Sequence, residues 1–250
     1  MSTKKILFTA HADTFPEVLE NELVQSDRLL HIPLENFNYS VDEEMHAYVE
    51  RELDSFAYVV YGSRLHARYF MRWVREYGQS DRVQKLVHLV TNQAAADMLE
   101  SHRLPAVKPH NDARPIDLIE FLLRISHEGT VLYPSGDQKV DEIPGLLIEL
   151  DMPFAEFQVY TEQSINKDEL KQFRKQIEES NPDAVIFHNE SSVLRTQTAF
   201  PDLDLKSVRL ISAGGRVTRK LQQLGFKEII DANGSWEKLI KIVNSESFES

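Results

Sequence analysis

Six turns share one chemistry. Thr9-Ala10, Gly62-Ser63, Thr91-Asn92, Ser135-Gly136, His188-Asn189 and Gly214-Gly215 each follow a short apolar run and precede a helical pattern. A helix that starts directly after such a turn leaves its first backbone N–H groups without intrahelical partners, and those groups bind anions. Turn geometry alone also selects Gly, Ser, Thr and Asn, so a single one of these turns says little. Six of them at strand ends compose a ligand site before any ligand is named.

Other side chains refine the picture. Arg64, Arg68, Arg72 and Arg75 recur at helical spacing after Ser63. Arg64 falls in the first turn, beside the expected site, where a ligand anion would relieve its unfavourable position against the helix dipole. Arg72 and Arg75 read as a solvated outer face. Tyr160 ends a strand in Val159-Tyr160-Thr161. It is either a tyrosine packed in a linker or a phenol facing a cleft between domains. An ordinary phenol keeps its proton near neutral pH, so it suits donation to a leaving hydroxyl better than base work. The histidines, among them His66, His102, His110, His127 and His188, lie on different elements without metal spacing. No P-loop, no Gly-x-Gly-x-x-Gly and no Gly-x-Ser-x-Gly elbow occurs. Without cysteine, thiolate chemistry and disulfides are excluded.

These residues need elements to hold them. Tyr58 to Tyr61 reads as a buried strand, Ser63 as a helix cap, and Leu65, Tyr69, Trp73 and Tyr77 as one apolar stripe closed by Gly78. The plan returns at 184–193. Each copy is followed by a second strand-turn-helix, at 87–95 and 210–218, which reads as an internal duplication. Strands are also expected at 6–8, 28–34, 106–108, 130–133, 155–161 and 228–230. Residues 134–137 read as a turn and 35–40 as a linker. Thr14-Phe15-Pro16-Glu17 signals a capped helix running to Val24, and Asn166 to Glu169 forms a capping box. Further helices are expected at 42–53, 81–86, 93–100, 116–126, 141–150, 167–179, 191–198, 215–224 and 236–243. The alternation predicts an α/β fold of parallel sheets with helices on both faces.

Composition sets limits. The net charge of −12 argues against non-specific nucleic-acid binding. The apolar run after Lys5 is too short for a signal peptide, and no stretch reaches the length of a membrane helix. A cytoplasmic protein is the expectation.

The motifs resemble the uroporphyrinogen-III synthase family over roughly residues 5–245. Phe8-Thr9-Ala10 stands for its opening Thr-Arg-Pro-like turn, and Tyr61-Gly62-Ser63 for its Phe-Thr-Ser turn. Thr91-Asn92-Gln93-Ala94-Ala95 takes the place of a Gly-x-x-Thr-Ala turn, and Leu132 to Gly136 that of Leu-x-x-x-Gly. Val159-Tyr160-Thr161, Phe187-His188-Asn189-Glu190 and Gly214 to Thr218 match later motifs. Ala10, Ala94, Val217 and Asn189 depart from the family residues.

The resemblance implies two parallel-sheet α/β domains of flavodoxin-like order joined by a two-segment linker. One would be discontinuous, 1–36 plus 163–250, and the other inserted at 38–160. It implies cofactor-free closure of hydroxymethylbilane, with inversion of the last pyrrole ring, by a monomer with no membrane or nucleic-acid partner. It assigns Tyr160 as proton donor and Thr9, Ser63, Arg64, Thr91, Asn92, Gly136, Asn189, Gly214 and Thr218 as substrate contacts. No metal is implied. A binding or regulatory relative without activity is the alternative.

Overall fold

The computed structural model describes residues 4–15, 28–109, 114–125, 129–138 and 142–245. The helix expected from Pro16 to Val24, His110, His127 and the tail after Ser245 lie outside them. Contacts divide the chain into two units: unit 1 is Met1–Asn36 with Ser164–Ser250, and unit 2 is Phe37–Gln163.

Unit 1 is built on a five-stranded parallel sheet: β1 (Ile6–Phe8), β2 (Leu29–His31), β9 (Ala184–Phe187), β10 (Arg209–Ser212) and β11 (Ile229–Asp231), ordered β2-β1-β9-β10-β11. In chain order this is the flavodoxin-like 2-1-3-4-5. Strand residues alternate between two cores. Ile6, Phe8, Ala184 and Ile186 pack on one face, and Leu7, Val185 and Phe187 on the other. Both faces are therefore apolar, as a parallel sheet covered on two sides requires.

Unit 2 carries β3 (Glu35–Tyr39), β4 (Phe56–Tyr61), β5 (Val87–Val90), β6 (Ala106–Val107), β7 (Thr130–Gly136) and β8 (Phe154–Ser164), ordered β3-β8-β7-β4-β5-β6. Strands β4 to β8 pair in parallel. Their order in the chain is 3-2-1-4-5, so this unit departs from the flavodoxin-like order expected of both. The passage expected as a linker begins with an edge strand beside β8, fastened further along by Ser40 N donating to Val159 O at 3.2 Å. Its Glu-Asn-Phe-Asn-Tyr sequence alternates, and Phe37 and Tyr39 pack into or against the core. The expected turn at Pro134 to Gly136 is the last part of β7, because β8 pairs with it through Gly136.

Ten helices are described: α1 (Glu43–Glu52), α2 (Arg64–Glu76), α3 (Ser80–Val83), α4 (Gln93–Glu100), α5 (Pro115–Ile125), α6 (Glu142–Glu149), α7 (Lys167–Ser180), α8 (Glu190–Ala199), α9 (Gly215–Gln223) and α10 (Trp236–Asn244). Their starts follow the sequence signals. Asp42, Ser63, Asn92, Asn189 and Ser235 each accept a hydrogen bond from the backbone N–H three residues on, and Asn166 with Glu169 forms the expected capping box. Gly78 adopts φ +65° after α2, the left-handed stop that glycine tolerates best. Helix α2 buries more than the stripe. Ala67, Phe70 and Val74 join Tyr69 and Trp73, while Tyr77 is exposed. Arg72 and Arg75 lie on the solvent side, Arg72 over the Tyr39 ring at 4.4 Å. Among the described residues no helix is long and apolar enough to cross a membrane.

Candidate functional site

Each sheet has a point where its strand order reverses, and the crevice beyond the carboxyl ends there is the usual ligand position in open α/β sheets. In unit 2 it falls between β4 and β7, at Gly62-Ser63 and Gly136. In unit 1 it falls between β1 and β9, at Thr9 and His188-Asn189.

Tyr160 belongs to the unit 2 end. It pairs in register with Gly136, and its ring rests on that glycine: a Cβ at Gly136 would lie 2.6 Å from Cε2 and Cζ and 2.9 Å from the hydroxyl. Three rings wall it: Phe37 at 5.7 Å, Tyr69 at 5.2 Å and His66 at 5.9 Å between centroids. The side chain is 8% exposed, so little of it meets water. A second tyrosine crowns the neighbouring glycine. The Tyr133 hydroxyl would lie 2.8 Å from a Cβ at Gly62, and its ring meets His66 edge-on at 5.5 Å.

The remaining unit 2 residues are tied more tightly than expected. Ser63 caps α2 by accepting from His66 N at 3.3 Å. Arg64 is 7% exposed and donates to the Ala94 carbonyl at 3.3 Å. Thr91 Oγ1 donates to Gly62 O at 2.8 Å, stitching the β5 end to the β4 end. Asn92 caps α4 through Ala95 N at 2.9 Å and donates to Thr91 Oγ1. Buried Ser135, next to Gly136, has no hydrogen-bond partner for its hydroxyl among the described residues, an expense that a bound acceptor would offset.

In unit 1, Thr9 is buried with its hydroxyl 3.5 Å from that of Thr196. Asn189 caps α8 through Ser192 N at 2.7 Å, and its amide nitrogen lies 2.9 Å from His188 Nε2. Gly214 is the N-cap of α9, and a Cβ added to it would lie 3.4 Å from Gly234 N. The Thr218 hydroxyl donates to Asp231 Oδ2 at 2.8 Å and lies 2.7 Å from Ser212 Oγ. Thr218 thus serves an internal network.

Sequence reasoning missed three groups. His66 and Tyr133 flank Tyr160's neighbourhood; only the position of His66 three residues after the cap Ser63 hinted at it. Glu35, 2% exposed, places Oε2 on Arg195 and Oε1 3.2 Å from His188 Nε2. It sits in the passage read as a linker, which hid it. Burial pushes the His188 imidazole down to about 4, which keeps the ring neutral beside Glu35. Glu162, beyond Tyr160 on β8, donates its backbone N–H to Asp137 Oδ1 at 2.8 Å. Burial, and then the Asp137 charge, hold its carboxyl above the ordinary range.

The family model described as uroporphyrinogen-III synthase HemD matches residues 27–241. The chain belongs to the uroporphyrinogen-III synthase family. Its fold is shared with solved members. The uroporphyrinogen-III synthetase of Helicobacter pylori aligns at TM-score 0.62 and 16% identity, covering 96% of this chain and 97% of that one. A mutant uroporphyrinogen III synthase of Thermus thermophilus aligns at 0.65 and 15%, covering 98% and 97%. The wild-type enzyme of the same organism aligns at 0.52 and 13%, covering 98% and 99%. No curated protein sequence matches.

Proposed function

We propose that this chain is a uroporphyrinogen-III synthase, a cofactor-free lyase that closes hydroxymethylbilane with inversion of the terminal pyrrole ring. It would act as a cytoplasmic monomer, without nucleic-acid or membrane partners. The observation that carries the reading, beside family membership, is Tyr160 seated on Gly136 at the switch point of unit 2. A phenol there has the right proton for the right task. It donates to the leaving hydroxyl, the carbon–oxygen bond breaks with its electron pair on oxygen, and water departs. The proton lost from the pyrrole carbon at ring closure restores the phenol, so the cycle balances.

Carboxylates of the substrate are met by backbone N–H groups at the starts of α2, α4, α8 and α9, near Ser63, Arg64, Asn92, Asn189 and Gly214. Thr9, Thr91 and Gly136 shape the strand ends. Thr218 acts at one remove, by holding the turn of α9 through Asp231. The rest is positioning, since the protein must present the correct carbon for attack.

A non-catalytic binding relative is the second reading. It is favoured by the internal engagement of the Thr91 and Thr218 hydroxyls. Tyr160→Phe addresses the enzyme reading. Formation of the type III isomer should fall about a hundredfold or more with the melting temperature unchanged. Unaltered turnover would remove Tyr160 from the chemistry. A binding relative would still take up an analogue of the linear tetrapyrrole in a titration while turning over none of the substrate.

A further inference from the structure

We propose that the Ser135 hydroxyl is a substrate-binding group: with the backbone N–H groups that open α2, it receives one carboxylate of the linear tetrapyrrole at the switch point of unit 2. The proposal rests on the reading of that tetrapyrrole as the ligand. Ser135 stands near the end of β7 and is 2% exposed, and its Oγ has no hydrogen-bond partner among the described residues. Folded proteins rarely leave a buried hydroxyl unpaired, because its lost hydration is not replaced. Its direction follows from the strand. Val131 and Tyr133 pack in one core and Leu132 in the other, so Ser135 projects on the side of Val131 and Tyr133. On that side the Tyr133 hydroxyl reaches over Gly62, 2.8 Å from where a Cβ would stand. The β4–β7 register, carried on from Val59 opposite Leu132, sets Ser135 beside Gly62 itself. Half-buried Gly62 and Ser63 lead into α2, whose first N–H groups have no carbonyl of their own helix to meet. The hydroxyl and those donors share one corner of the sheet, and Gly62 puts no Cβ between them.

Unit 1 supplies the control. Ile6 pairs with Ala184 as Val131 pairs with Tyr58, so four residues further along Ala10 stands where Ser135 stands. The neighbours correspond too. Phe8 takes the place of Tyr133 and His188 that of Gly62, and the Phe8 ring meets His188 at 6.3 Å. Ala10 is fully buried and packs with Ile6 and Phe8. The sheet plan thus needs no hydroxyl at this position, since alanine fills it. In unit 2 the hydroxyl is kept against stability, which marks a group whose partner arrives with the ligand. The Gly62 carbonyl already accepts from the Thr91 hydroxyl at 2.8 Å. What the corner lacks is an acceptor for its O–H and N–H donors. Of the acceptors on a linear tetrapyrrole, the carboxylates form the strongest such bonds, because their charge assists them.

The test separates a ligand group from a structural one. Ser135→Ala removes only the hydroxyl. Without ligand its melting temperature should rise by about 2–4 °C, since an unpaired buried group is gone. The parent and the variant are then titrated anaerobically with methylbilane, the substrate with hydrogen in place of its terminal hydroxyl. Ser135→Ala should bind it about tenfold more weakly. In the coupled assay KM should rise by a similar factor with kcat little changed. A melting temperature that falls would mean that the hydroxyl serves the fold, and unchanged affinity would mean that no ligand reaches it. Either result overturns the proposal, as does a parent that fails to bind methylbilane. The enzyme reading is judged apart. Type III isomer formed equally by the parent and by Ser135→Ala keeps that reading and removes Ser135. Methylbilane held in a Ser135-dependent way, without any type III isomer, sinks that reading and keeps the proposal.

Discussion

The two units are one sheet plan with the chain entering at different points. Unit 2 reads β8-β7-β4-β5-β6 across its parallel strands, and unit 1 reads β2-β1-β9-β10-β11. Start unit 1 at β9 and carry on through β11 to β1 and β2, and the two orders coincide. The duplication in the sequence is therefore a circularly permuted one. Tyr58 pairs with Val87 as Ala184 pairs with Arg209, so Ser63 corresponds to Asn189 and Asn92 to Gly214, each the cap of the same helix.

With the scaffold equal, the side chains carry the difference. The first helical residue after the switch-point cap is Arg64 in unit 2 and Glu190 in unit 1. Glu35 follows Leu29 at the same distance along the chain as Tyr160 follows Phe154. Where unit 2 sets a phenol near a histidine, unit 1 sets a carboxylate on His188 and Arg195. The lesson is a division of labour. Unit 2 keeps a phenol among rings, and unit 1 ties its polar groups into the Glu35–Arg195 ion pair and hydrogen-bonded networks.

The largest effect that would sharpen this contrast comes from a histidine that unit 1 does not match. His88 lies where unit 1 has Leu210. Both its nitrogens are bonded, Nε2 donating to Val83 O at 3.1 Å and Nδ1 accepting from Tyr61. Burial pushes this imidazole from 6.5 down to about 4. The native state thus stays neutral where the unfolded chain takes up a proton. Stability is whole above pH 6.5, falls as pH drops toward 4, and is level below. The loss is about 3 kcal/mol, and the slope of denaturant-derived stability over that window should shrink in His88→Gln.

Glu35→Gln comes next. It removes the buried carboxylate that Arg195 and His188 share, and should cost about 2–3 kcal/mol by urea unfolding. A neutral result would make the unit 1 cluster incidental. Gly136→Ala against Gly214→Ala compares the two units directly. The first drives a methyl to 2.6 Å from the Tyr160 ring and should cost about 1–3 kcal/mol along with type III formation. The second meets only backbone at 3.4 Å and should cost less. Equal costs would break the comparison. The smallest effect is Thr218→Val, about 1 kcal/mol of stability from the lost bond to Asp231, with little change in KM.

Much of this was legible in the chain. The caps Ser63, Asn92, Asn166 and Asn189 and the β-branched runs before them gave helix starts and strands, because those choices are made locally. The orientation of Arg64 was not legible, since the Ala94 carbonyl that captures it comes from another helix. Nor was Glu35. A carboxylate in a polar, aromatic passage reads as solvated until its two basic partners, far along the chain, are known. Gly136 looked like a turn residue because the pairing of β8, which extends β7, is set by tertiary contact. Strand order was beyond reach as well: the two units share the local signals and differ in where the chain begins.

The most direct test generates hydroxymethylbilane in situ, adds this protein, oxidises the products and separates the type I and type III porphyrins. A shift to type III is the predicted result, lost in Tyr160→Phe. Type I alone, from protein shown to be folded, would contradict the account and mean that the paired sheets serve another ligand.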